Sequence, residues 1–125
     1  MVLKPNIARV LQPGNPENTD WRVIEAMVVL AKRARAGRIV IAEGAFALNT
    51  PKCFERTGVA EVARRHGVEL VDVNEDEFVK VRVRRGTVLK DVEVSRTVAE
   101  ADVLVNLPAF KASVMAFIDS VDTMI

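Results

Sequence analysis

The stretch RIVIAEG, Arg38 to Gly44, decides how the rest of this 125-residue chain is read. Ile39 to Ala42 are apolar without interruption, and three of the four are β-branched. A strand with one wet face alternates, whereas an unbroken apolar run suits a strand covered on both faces, as in a parallel sheet between helices. The sequence therefore predicts a central strand over Arg38 to Ala42, ending on the polar pair Glu43-Gly44.

Upstream, Trp21, Ile24, Met27, Val28 and Ala31 recur at helical spacing. Asp20 stands where an N-cap belongs, and Gly37 is the expected stop after Lys32, Arg33 and Arg35. Before that helix, QPGNPENTD (Gln12 to Asp20) is rich in proline, glycine and asparagine and reads as a loop. Val2 and Leu3 read as a short strand broken at Pro5.

Downstream, Thr50-Pro51 predicts a cap and first turn of a short helix closed by Gly58. A second, Val59 to Arg65, ends at His66-Gly67, and Val68 to Val73 is the next strand, followed by an acidic turn from Asn74 to Glu77. Phe78 to Arg84 and Val88 to Val94 alternate around Arg85-Gly86-Thr87, a hairpin signature. One hairpin face is valine. The other sets Lys80, Arg82 and Arg84 against Lys90, Asp91 and Glu93, and reads as a solvated face with cross-strand ion pairs rather than a basic binding strip. Arg96 to Ala101 suits one helical turn, Val103 to Val105 a last strand, and Ser113 to Ile125 an amphipathic helix. Helices alternating with buried strands define an α/β fold: a mainly parallel sheet sandwiched by helices, with an added antiparallel hairpin, in a single domain over 1–125.

Composition narrows function. Lys plus Arg (18) nearly balance Asp plus Glu (17), and the net charge of +1 makes no electrostatic case for nucleic acid or an anionic membrane. The apolar runs are far below the roughly 20 residues of a spanning helix. Met1 to Ala8 lacks the apolar core of a signal peptide, so a cytoplasmic protein is expected. Cys53 is the one cysteine, which excludes an intramolecular disulfide and a four-cysteine cluster within one chain; no cofactor is expected in this chain.

The strand ends share a feature. Val2-Leu3 finishes on Lys4 and Asn6, the central strand on Glu43 and Gly44, and Val103 to Val105 on Asn106, with Lys111 five residues further on. In open parallel sheets ligands lie beyond the carboxyl ends of the strands. Lysines and amides there suit phosphate or carboxylate oxygens, Glu43 could balance a lysine, act as a base, take a ligand hydroxyl or join a hard metal, and Gly44 would admit a ligand to the backbone. The alternative reading makes Asn6, Glu43 and Asn106 loop caps and leaves both lysines solvated. No metal ligand set is expected. His66 at a helix end, Cys53 beside Phe54, and the run NEDE (Asn74 to Glu77) have simpler structural readings.

Several pieces together resemble the domain of unknown function 362 family: LKPN (Leu3 to Asn6), PGNPENTD (Pro13 to Asp20), AEGA (Ala42 to Ala45), FERTGVAEVARRHGVELVDVNEDE (Phe54 to Glu77) and ADVLVNLPAFK (Ala101 to Lys111). The resemblance implies an α/β fold and a link to iron–sulfur ferredoxin segments in relatives, and no assigned reaction. In that family the last lysine is typically followed by threonine and histidine, whereas Ala112 and Ser113 follow Lys111. The chain therefore reads as a truncated form or as a divergent short version. Its apolar tail (Val114, Met115, Phe117, Ile118, Val121, Met124) is expected to pack on a second copy, giving a homo-oligomer, or on a missing downstream segment. A non-catalytic interaction module is thus the alternative to an anion site.

Overall fold

The computed structural model describes residues 1–46 and 49–111. Four strands, β1 (Val2–Pro5), β2 (Val40–Glu43), β3 (Glu69–Asp72) and β6 (Leu104–Leu107), form one parallel sheet in the order β3-β2-β1-β6. Helices α1 (Trp21–Arg33), α2 (Thr50–Thr57) and α3 (Val59–His66) flank it. A separate antiparallel pair, β4 (Phe78–Arg82) and β5 (Asp91–Ser95), leads into the short α4 (Arg96–Ala99). The expected tail helix, Ser113 to Ile125, lies outside the described residues, as do the apolar tail contacts read from it.

The unbroken apolar run at β2 has its explanation in the strand order. β1 and β2 are the two inner strands, every residue of β2 is buried, and apolar side chains pack against both of its faces. Leu3 and Ile41 point to one side and join Ile24 and Val28 of α1, Cys53 and Phe54 of α2, and Val59 and Val62 of α3 in the main core. Val2, Val40 and Ala42 point to the other and pack with Val71, Val73 and Ala101. Fully burying one such aliphatic side chain contributes about 1.5–3 kcal/mol. β3 and β6 are the outer strands, and Glu69 and Leu104 on them are exposed.

Local signals set most element ends. The Asp20 side chain accepts from the Arg22 N–H and caps α1; Gly58 and Gly67, both at positive φ, close α2 and α3. Three boundaries differ from the sequence reading. α1 stops at Arg33, and Arg35, not Gly37, takes the left-handed conformation (φ 59°). The Arg35 N–H reaches the Lys32 carbonyl and the Ala36 N–H the Ala31 carbonyl, a Schellman closure that needs its left-handed residue two places before the glycine. Asn49 rather than Thr50 caps α2, because its side chain accepts from the Lys52 N–H at 3.2 Å. The hairpin ladder pairs Phe78 with Ser95 and Arg82 with Asp91, leaving a connection from Val83 to Lys90 in place of a three-residue turn.

The last strand also differs. β6 runs through Asn106 to Leu107, four residues in register with β1, so Asn106 lies within the strand rather than just past its end. From β1 the chain builds outward through β2 and β3, then returns to place β6 on the opposite side of β1. The connections therefore reverse direction between β1 and β6, the point at the carboxyl ends where open parallel sheets place their ligands.

Candidate functional site

The sheet register brings the candidate residues to this edge. Lys4 of β1 sits directly opposite Asn106 of β6. On the other side of β1, the Lys4 Nζ is 3.6 Å from Oε1 of Glu43 at the end of β2, and the two side chains are 13% and 7% exposed. Glu43 is held further by backbone donors, the Gly44 N–H at 2.8 Å from Oε1 and the Ile7 N–H at 3.3 Å from Oε2. Burial pushes the Glu43 carboxyl above its ordinary range, and Lys4 and the two N–H groups pull it back only in part. Glu43 is thus a buried carboxyl paired with an ammonium group, with both its oxygens held by backbone donors.

The chain leaving β1 is clasped by the loop before α1. The Thr19 hydroxyl accepts from the Asn6 N–H (2.9 Å) and donates to the Leu107 carbonyl (2.5 Å), tying the exits of β1 and β6 together. The Thr19 N–H returns to the Asn6 carbonyl at 2.8 Å. Lys111 donates from Nζ to Oδ1 of Asn6 (2.6 Å) and to the Glu17 carbonyl (2.9 Å). Asn18 completes the clasp, accepting from the Ala8 N–H and donating to the Arg9 carbonyl, each at 3.0 Å. Sequence reasoning did not single out Thr19. Its only signal is a small hydroxyl inside a polar loop, which many solvated turns share.

Gly44 faces a side chain. A Cβ there would come within 2.8 Å of Oδ1 of Asn74. Asn74 is fixed in place by donating to the Ala45 carbonyl (3.1 Å) and to Oγ1 of Thr50 (3.3 Å), and the Thr50 hydroxyl in turn donates to Asp72 (2.7 Å). The acidic turn after β3 thereby buttresses the loop after β2.

One atom at the edge is unsatisfied: Oδ1 of Asn106 is buried and has no hydrogen-bond partner among the described residues. A buried acceptor left unpaired costs roughly 1–3 kcal/mol, and native structures keep few of them. Two exposed phenylalanines, Phe46 after β2 and Phe110 after β6, lie on loops leaving the same edge.

The remaining candidates lie elsewhere. His66 closes α3 with Nε2 2.9 Å from Oε1 of Glu25. Cys53 is buried in the main core, and burial pushes its thiol up, with Asp72 and Glu43 adding to the effect, which opposes thiolate chemistry. Among the described residues no three His, Cys, Asp or Glu side chains converge to hold a metal, and a single buried cysteine does not fit an iron–sulfur cluster of the four-cysteine kind. No described helix is long and apolar enough to cross a membrane.

The fold and its edge define an α/β protein with a cluster of polar side chains where a parallel sheet changes direction. Within that class the chain belongs to the domain of unknown function DUF362 family, whose model matches residues 1–118. No curated protein and no solved structure matches the chain.

Proposed function

We propose that the carboxyl-end edge of β1 and β6 binds a small organic anion, a carboxylate or phosphate compound that also carries a hydrogen-bond donor. The observation that carries this reading is the pairing of Lys4 with Asn106, whose buried Oδ1 has no partner among the described residues, at the reversal point of the sheet. Lys4 supplies the ammonium contact to the anion, with the charge of Lys111 adjacent. Asn106 accepts from a ligand hydroxyl or amine, and Asn6, fixed by Thr19 and Lys111, orients the loop. Gly44 shapes the loop by accommodating Asn74. Glu43, buried beside Lys4, holds or releases a proton near the bound group.

Native mass spectrometry of the freshly purified protein, beside a denatured control, tests the reading. A retained mass that is lost on denaturation and absent from Asn106→Ala is expected. That variant removes no hydrogen bond within the described residues, and an unchanged melting temperature separates a failure to bind from misfolding. An identical retained mass in wild type and Asn106→Ala would remove the site from β6.

A further inference from the structure

The hairpin has two ends of different character. At its foot the charges are satisfied: Arg96 lies 2.5 Å from Glu77 and 2.7 Å from Glu100, the Ser95 hydroxyl donates to Asp76, and the Thr97 N–H donates to the same carboxylate at 2.9 Å. Toward the tip the pattern reverses. Lys80, Arg82, Arg84, Arg85 and Lys90 form no ion pair among the described residues, although Lys80 stands opposite Glu93 and Arg82 opposite Asp91 in the ladder. Five basic and two acidic side chains between Lys80 and Glu93 leave a local charge of +3 on a chain whose net charge is only +1.

The tip is also apolar. Val88 is 88% and Leu89 61% exposed, side by side at the turn. The turn itself is built: the Val83 N–H reaches the Lys90 carbonyl at 2.8 Å, the Lys90 ammonium holds the Gly86 carbonyl at 2.8 Å, and Arg85 adopts φ 60°. Gly86 admits no side chain, since a Cβ would meet the Leu89 carbonyl oxygen at 1.9 Å. The tip also carries a hollow of about 420 Å³ lined by Arg82, Val83, Arg84, Arg85, Gly86 and Lys90.

We infer that this hairpin tip docks on a membrane surface bearing anionic phospholipid, with Val88 and Leu89 entering the acyl boundary and the basic hollow taking phosphate head groups. Exposed aliphatics flanked along the chain by Arg84, Arg85 and Lys90 match that boundary, where apolar area and attraction to anionic lipid act together. Nucleic acid fits less well, because the tip offers no aromatic side chain for stacking bases and Val88 and Leu89 would have no counterpart there. The small net charge does not oppose docking, since at about 0.1 M salt charges act over only about 10 Å, so the local patch decides.

Cosedimentation of the full chain with vesicles of phosphatidylcholine alone, and with one third phosphatidylglycerol, tests the inference. Binding to the anionic vesicles only is expected. With each basic residue near the surface worth about 1 kcal/mol, Arg84→Glu/Arg85→Glu should weaken partitioning by tenfold or more. Val88→Ser/Leu89→Ser, which leaves every charge in place, should weaken it severalfold; both changes lie on exposed positions, and an unchanged melting temperature verifies the fold. Absence of binding to anionic vesicles at low salt overturns the inference. Binding that ignores the Val88 and Leu89 changes, or that a short RNA duplex competes away while matching it in affinity, also overturns it and identifies a general polyanion surface.

Discussion

Lys4 and Glu43, on neighbouring strands, are brought 3.6 Å apart with almost no access to water. An ion pair in that setting is held as much by the cost of separating it as by its own attraction. Burial raises the Glu43 carboxyl above its ordinary 4.5, so the folded chain holds this proton more tightly than the unfolded chain does. By linkage, stability contributed at this site is greatest below about pH 4.5 and falls as pH rises through the folded value. Removing Lys4 deepens that fall. Lys4→Met is expected to cost about 2–3 kcal/mol at pH 8, less than the full penalty of an unpaired buried charge because Glu43 can take up a proton, and clearly less at pH 5. Urea unfolding at both pH values checks this; an equal loss at the two would mean that the pair is not electrostatically coupled.

Asn106→Ala is expected to leave stability unchanged or raise it by up to about 1 kcal/mol, since it deletes a buried acceptor that has no partner rather than a bond. Thermal and chemical melts measure the effect. A loss above 1 kcal/mol would show that the amide supports the fold, and would remove the argument that it is kept for a ligand.

Gly44→Ala forces a Cβ against Asn74, whose amide is tied to Ala45 and Thr50. The expected loss is about 1–3 kcal/mol. Asn74→Ala in the same chain should recover part of it. A double-mutant cycle with no coupling between the two positions would contradict the contact.

Arg35→Gly should stabilise the protein by about 0.5–1 kcal/mol, because Arg35 holds a left-handed conformation that glycine adopts without strain. Comparison of melting curves decides the sign, and destabilisation would show that the arginine side chain contributes more than its backbone strain costs.

The legibility of this chain divides by range. Asp20, Gly58 and Gly67 act through groups within a few residues of themselves, so the elements they bound were readable. Ile39 to Ala42 announced a strand covered on both faces, and β2 is an inner strand. The sequence places the end of α1 too late because arginine is a poor sign of a left-handed turn, and the hairpin is longer than its turn signature because Arg85-Gly86-Thr87 resembles a turn while the ladder already stops at Arg82 and Asp91. Lys4, Glu43 and Asn106 could be guessed as strand-end residues, but not which would touch. Asn74 is legible as the polar end of the strand Val68 to Val73, though not its contact with Gly44 and Thr50, and Thr19 carries no usable signal.

The sequence alone therefore determined the α/β class, most of its elements, and the polar character of the strand ends, because periodicity, caps and turns are local properties of the chain. Tertiary structure alone decided that β6 returns beside β1, that Lys4 lies between Asn106 and Glu43, and that the Asn106 carbonyl oxygen is buried without a partner among the described residues. Those relations join residues 39 to 102 positions apart, through strand order and register, and no short-range pattern encodes which strand will be whose neighbour.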